Sequence, residues 1–344
     1  MTTTKAASTV PPTQQFRRPR AEFWADRRLT VTAVRKLIEQ LDPVEDDAEI
    51  THLSLEVIVP PMFGHAAYAA GTARGMTHPA EAVVGYRGGR GDQIVRPEHR
   101  DRDTLTFFGM FMREGHRSAR AQEIFDRVQQ IHHDVRGVGN DLQLHVLGLL
   151  IFEPQRWVSD LGMPGWFSEK ENLARFHFWQ GVGRGMGLQQ IPQDYDEFRQ
   201  WVDEFEQEHF APTPEARAVY RKQVEGFARW FPGPTKVLAH QTLSAGLSRM
   251  TRRVVDSGPV NPAFTLALAA GLRAYRATEP VRRVNLSRTW VGEFSRLGAD
   301  PDLADLGYQH DVTSDPRYQR AGDPAKGYRY SVARGLESGG RPAR

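Results

Sequence analysis

The sequence contains no cysteine. That excludes disulfides, thiolate-bound metals, iron–sulfur clusters and zinc ribbons, so any metal must be held by His, Asp, Glu or Tyr. Lysine is confined to Lys5, Lys36, Lys170, Lys222, Lys236 and Lys326. Nearly all positive charge is therefore arginine, scattered among aspartates and glutamates. No basic stripe emerges of the kind that tracks phosphates, which argues against nucleic-acid binding. Long apolar runs are missing too: the longest is Val146 to Phe152, well short of the roughly 18 residues of a membrane helix. The pair Arg17-Arg18 is followed by AEFWADRRL instead of an apolar stretch, so it does not read as a twin-arginine signal, and a cytoplasmic location is expected. There is no Gly-x-Ser-x-Gly elbow and no Walker loop, which leaves nucleophilic and phosphoryl chemistry without a foothold.

What remains is a chain of 344 residues, 40% hydrophobic, with a formal net charge of +3. That is enough for one large domain or two ordinary ones. Residues 1–20 are low in apolar content and are expected to form a disordered tail. Residues 21–335 read as a single helical domain, and 336–344 as a frayed end.

Helical periodicity dominates. Ala121, Ile124, Phe125, Val128, Ile131 and Val135 recur at spacings of three and four, the apolar stripe of an amphipathic helix. His132 lies in that stripe and points at the core. Gly137 and Gly139 stop the helix, and Asn140 or Asp141 is placed to cap the next. That next segment, Leu142 to Phe152, is apolar nearly all round and carries His145. Further helices are predicted over 21–30, 32–41, 63–74, 100–113, 169–187 (capped by Ser168), 194–209, 213–230, 235–247, 262–276 and 281–297. Residues 45–49 read as a solvated acidic turn and Tyr86 to Asp92 as a glycine-rich loop. Leu53 to Val59 is the best strand candidate, being apolar, β-branched and closed by Pro60-Pro61. The run GVGRGMG lacks the glycine spacing of a dinucleotide fingerprint and has no strand before it. It suits a small-residue face for close helix packing. The expected fold is all-α.

Three constellations could carry chemistry. A neutral imidazole on the apolar face of a helix, as His132 is, suits an axial ligand of haem or another metal; the competing reading is a core histidine bonded to a carbonyl or carboxylate, and His145 is the rival ligand. Arg100 and Thr104, four residues apart, share one helix face. The arginine suits a buried carboxylate such as a haem propionate, or else a surface pair with Glu98 or Asp103. Glu206 and His209 form one Glu-x-x-His motif, whereas a carboxylate-bridged di-iron bundle needs two, so this pair reads as a solvated face. His116, His133 and His177 read as surface or boundary residues.

Taken together, HPAEAVVGY, the R-x-x-x-T of Arg100 to Thr104, FFGMF, the V-x-x-I-H of Val128 to His132 with V-R-G after it, Asn140-Asp141, EPQRW and LQQIPQDYDEFRQWV resemble, in order and spacing, the haem-dependent oxygenase family of the rubber oxygenases (latex-clearing proteins) and the fungal mycophenolic acid pathway oxygenase. The resemblance runs from about His78 to Pro214. It implies a globin-like helical core with added peripheral helices and a b-type haem with His132 as proximal ligand. It also places Arg100 and Thr104 beside the haem. The implied activity is dioxygen-dependent oxidation or cleavage of a carbon–carbon double bond in an isoprenoid-like chain. In rubber-cleaving members a lysine directly before the threonine can cap the distal side of the iron. Here that position is Asp103, which could serve as an acid/base or face solvent, and a small apolar metabolite is expected in place of the polymer. A haem-binding sensor or carrier, or a metal-free helical ligand-binding protein of the same fold, would share most of these features.

Overall fold

The computed structural model describes residues 21–135 and 138–307. The helices run in order: α1 (Val31–Glu39), α2 (Asp47–His52), α3 (Pro61–Gly75), α4 (Pro79–Tyr86), α5 (Asp92–Val95), α6 (Pro97–Glu114), α7 (Ala119–Val135), α8 (Asn140–Asp160), α9 (Glu169–Gly185), α10 (Tyr195–His209), α11 (Pro214–Phe227), α12 (Val237–Ala245), α13 (Arg249–Val255), α14 (Pro262–Ala277) and α15 (Trp290–Phe294). The fold is all-α, as the periodicity predicts.

The centre is α8. It packs against α3, α9 and α10, and most of its apolar circumference is covered, with Leu144, Leu147, Ile151 and Phe152 buried. Close approach is bought by glycine. A Cβ on Gly148 would stand 2.4 Å from Val202 of α10, and one on Gly183 of α9 would stand 2.7 Å from Leu147. The GVGRGMG run is thus a packing face, and Gly181 within it makes room for the ring of His116. Trp157, Trp166 and Trp179 are almost wholly buried around this centre. Each removes on the order of 200 Å² from water, about 5 kcal/mol of transfer free energy. The predicted cap holds at α9: the Ser168 hydroxyl accepts from Glu171 N–H while Glu171 reaches back to Ser168 N–H. At α8 it does not. Gly139 occupies the cap position without a side-chain bond, and Asn140 instead exchanges two hydrogen bonds with the backbone of Gln189.

Four local expectations are corrected. Leu53–Ile58 is a π-helical continuation of α2, not a strand. All six of its residues are buried, and an apolar run with no wet face carries no period by which helix and strand can be told apart. Residues 21–30 form a single 3₁₀ turn, Ala21–Phe23, and a strand, β1 (Arg28–Thr30). Residues 281–297 form a second strand, β2 (Arg283–Asn285), and the short α15. β1 and β2 pair antiparallel, Leu29 opposite Val284, a contact far beyond the reach of local periodicity. The acidic turn is not solvated either: Asp46, Asp47 and Glu49 are buried, with Asp47 2.9 Å from His116 Nε2 and 3.3 Å from an Arg117 nitrogen. The tails assigned to 1–20 and 336–344, and the helix stop at Gly137, lie outside the described residues.

Candidate functional site

Two cavities adjoin along α6 and α8. One, of about 170 Å³, lies among α3, α6 and α8 and is walled by Phe63, Tyr68, Trp157, Phe167 and Trp290. The other, of about 290 Å³, lies among α4, α6, α7, α8 and α9. Glu81, Gln93, Arg100, Thr104, Phe108 and Trp179 line both, so they form the boundary of one bipartite, mainly apolar chamber.

His132 faces the larger cavity from the last turns of α7. The stripe that carries it also supplies Val128 and Ile131 to the same wall. Its Nδ1 lies 3.0 Å from Gln143 Oε1. Gln143 uses its own N–H on the Val138 carbonyl, 3.1 Å away, which turns the amide oxygen toward the ring. The ring therefore donates through Nδ1, and Nε2 is left as a free lone pair. Burial holds His132 below its ordinary pKa, against the pull of Gln143, and the nearby charge of Arg100 adds to the lowering. A neutral imidazole with one nitrogen anchored and the other facing the cavity is chemically able to ligate a metal.

Arg100 stands on the boundary between the cavities. Neither Glu98 nor Asp103 pairs with it. Glu98 lies 3.8 Å from nitrogens of Arg102 and Arg229, and Asp103 is held by Arg296 at 2.9 to 3.1 Å and by the Gly307 amide at 3.1 Å. Among the described residues the Arg100 guanidinium has no carboxylate partner, an unusual state for a cation beside an apolar chamber. One turn on, the Thr104 hydroxyl donates to the Arg100 carbonyl at 2.9 Å. Asp103 lines the larger cavity but does not face solvent, being only 6% exposed.

Glu206 is not on a solvated face. It is buried, 3.3 Å from Arg74 and 2.9 Å from Arg156; against the opposing effect of burial, the hydrogen bond from His145 and then the charges of Arg156 and Arg74 hold its carboxyl down at about 2. Arg74 also grips Glu153 at 2.8 Å. His145, the rival ligand, is fully buried within this charged network and lines neither cavity. Among the described residues no group of three or more His, Asp or Glu could hold a bare metal ion.

Sequence reasoning missed Glu81, Gln143 and the Arg74–Glu153 pair. Glu81 sits three residues into the first turn of α4, where a glutamate reads as routine helix chemistry. Yet a Cβ on Gly75 would come within 2.4 Å of its Oε1, so the chain keeps a glycine to let this carboxylate in. A spacing rule could have found Gln143: it lies eleven residues after His132, across the helix break.

The fold and chamber define a helical protein with a mainly apolar internal chamber bordered by a few polar groups. The chain belongs to the family described as ER-bound oxygenase mpaB/B'/Rubber oxygenase, catalytic domain, which it matches over residues 61–271. The match runs from the start of α3 into α14, past the point near Pro214 where the motif resemblance fades. The protein is thus a member of an oxygenase family. No curated protein matches the chain. Among the described residues no helix is long and apolar enough to cross a membrane.

Proposed function

We propose that the protein is a b-type haem-dependent oxygenase that oxidises or cleaves a carbon–carbon double bond of a compact, isoprenoid-like substrate with dioxygen. The observation that carries this reading is the pairing of an open His132 Nε2, anchored through Gln143, with an uncompensated Arg100 on the same cavity wall. A haem needs one axial nitrogen and a counter-charge for its propionates, and both are present. The haem, when bound, supplies the dioxygen and redox chemistry.

The chain's own residues do the rest. Gln143 fixes the tautomer and plane of His132. Phe108, Val146 and Leu150, which line both cavities, keep water out and hold an alkene by contact alone. The smaller cavity, at about 170 Å³, suits a compact substrate better than a polymer. Among the described residues, Glu81 Oε2 is buried without a hydrogen-bond partner, on the boundary wall, where it can take or return a proton. Asp103 is committed to Arg296, so its role is to hold α6 beneath Arg100 and Thr104.

The test begins with the absorbance of the purified protein before and after dithionite and carbon monoxide. A Soret band that responds as a histidine-ligated haem, lost in His132→Ala and kept in His145→Ala, is expected. Dioxygen uptake on adding short unsaturated isoprenoids should follow. A protein that stays colourless after haem addition refutes the haem assignment. A coloured protein without substrate-dependent uptake would be a carrier or sensor.

A further inference from the structure

His145 is a fully buried imidazole with a carboxylate on each side. Its Nε2 lies 3.4 Å from Glu206 Oε1 and its Nδ1 lies 3.6 Å from Glu81 Oε2. Among the described residues, both Nδ1 of His145 and Oε2 of Glu81 are buried atoms without a hydrogen-bond partner, and they are aimed at each other. An ordinary core fills or pairs such atoms, since an unpaired buried polar group is left with its full desolvation penalty. Glu81 reaches the chamber and His145 does not. Glu206 is locked from behind by Arg74 and Arg156, the latter also paired with Asp203, which is 52% exposed.

We infer that His145 is the positioning residue for Glu81: Glu206 orients its ring through Nε2–H, and its Nδ1 holds one proton in reserve for the Glu81 carboxyl at the chamber wall. The inference rests on the reading of the chamber as the site of reaction. The step is a single proton transfer. The His145 Nδ1–H proton passes to Oε2 of the Glu81 carboxylate, and Glu81 hands it on to a group in the cavity. The ring becomes neutral and keeps its Nε2–H toward Glu206. When the cavity returns the proton, the transfer reverses. No electron moves and no net proton is consumed.

The surroundings support this arrangement. Burial alone would push His145 down, but the facing carboxylates of Glu206 and Glu81 outweigh it and raise its pKa. The remaining faces are the rings of Phe205 and Phe210, at 4.9 and 5.9 Å. His78, with His209 stacked on it at 5.2 Å, feels the charge of His145 and is itself held well below its ordinary pKa, chiefly by burial.

Nitrogen-15 NMR of ring-labelled histidine in the protein as purified reads the ring directly, whatever the haem content. His145 should be an imidazolium at pH 7 in wild type, with its midpoint lowered by about one unit or more in Glu81→Gln. A neutral His145 at pH 6, or a midpoint unmoved in Glu81→Gln, would overturn the inference. Turnover gives the second reading. Glu206→Gln should shift the alkaline limb of the rate profile to lower pH at unchanged KM, whereas a uniform loss at every pH would mean a merely structural role. A colourless protein would refute the haem assignment and leave the NMR answer standing.

Discussion

Acid should loosen the helix that carries Glu81. His78 caps α4, its Nδ1 accepting the Ala80 N–H at 3.1 Å. That bond needs an unprotonated Nδ1. Burial, helped by the charges of His209 and His145, lowers the His78 pKa from 6.5 to about 4. The unfolded chain therefore binds a proton near pH 6.5, and the folded chain only near pH 4. Between those values the unfolded state holds the extra proton, so stability falls as pH falls. Each pH unit across the window costs about 1.4 kcal/mol, and the whole window about 3 kcal/mol. His78→Asn keeps a good cap that does not titrate. The assay is urea unfolding of both proteins from pH 7 to pH 4. At pH 7 the two should agree within about 1 kcal/mol. By pH 4 the variant should have gained about 3 kcal/mol on wild type. Because the other titrating groups are common to both chains, the difference isolates position 78. Parallel stability curves over this range would refute the argument, and with it the neutral, capping state of His78.

Two further outcomes follow from the packing and the site. Gly148→Ala should cost about 1–3 kcal/mol in chemical denaturation, because the new methyl would meet Val202 at 2.4 Å; an unchanged midpoint would mean that α8 and α10 are not so tightly apposed. Gln143→Leu should weaken haem retention about 10–100-fold, read by haem transfer to an apo-globin acceptor, while leaving the helical content intact; equal retention would show that the Gln143 bond does not orient His132.

The all-α class and most helix spans were legible because periodicity is local. His132 was legible as a core-facing residue on α7 for the same reason. What could not be read was anything decided by a distant partner. Asp103 gave no sign that Arg296, nearly two hundred residues on, would claim it. Glu206 looked solvated on its charged helix because Arg74 and Arg156 come from α3 and α8. The buried run at Leu53–Ile58 had no polar face to set its period. Arg100 was noticed as a cation on a helix face, but only the structure shows that both neighbouring carboxylates are engaged elsewhere.

The two-stranded ribbon bears on where the boundary of the working unit falls. β1 and β2 bring the first described residues against a segment past 280. Beside them, His52 Nε2 donates toward the carbonyls of Phe23 and Leu286, at 3.1 and 2.8 Å, and its other nitrogen meets Glu56 at 2.6 Å. Glu56 in turn accepts the Trp290 N–H. Leu55 and Val59, on either side of Glu56, and Trp290 itself are wall residues of the smaller cavity. All of this hardware lies outside residues 61–271. The stretch that bears the family signature is therefore a vessel with one side missing, and a staple joining the two flanks of the chain is what closes it.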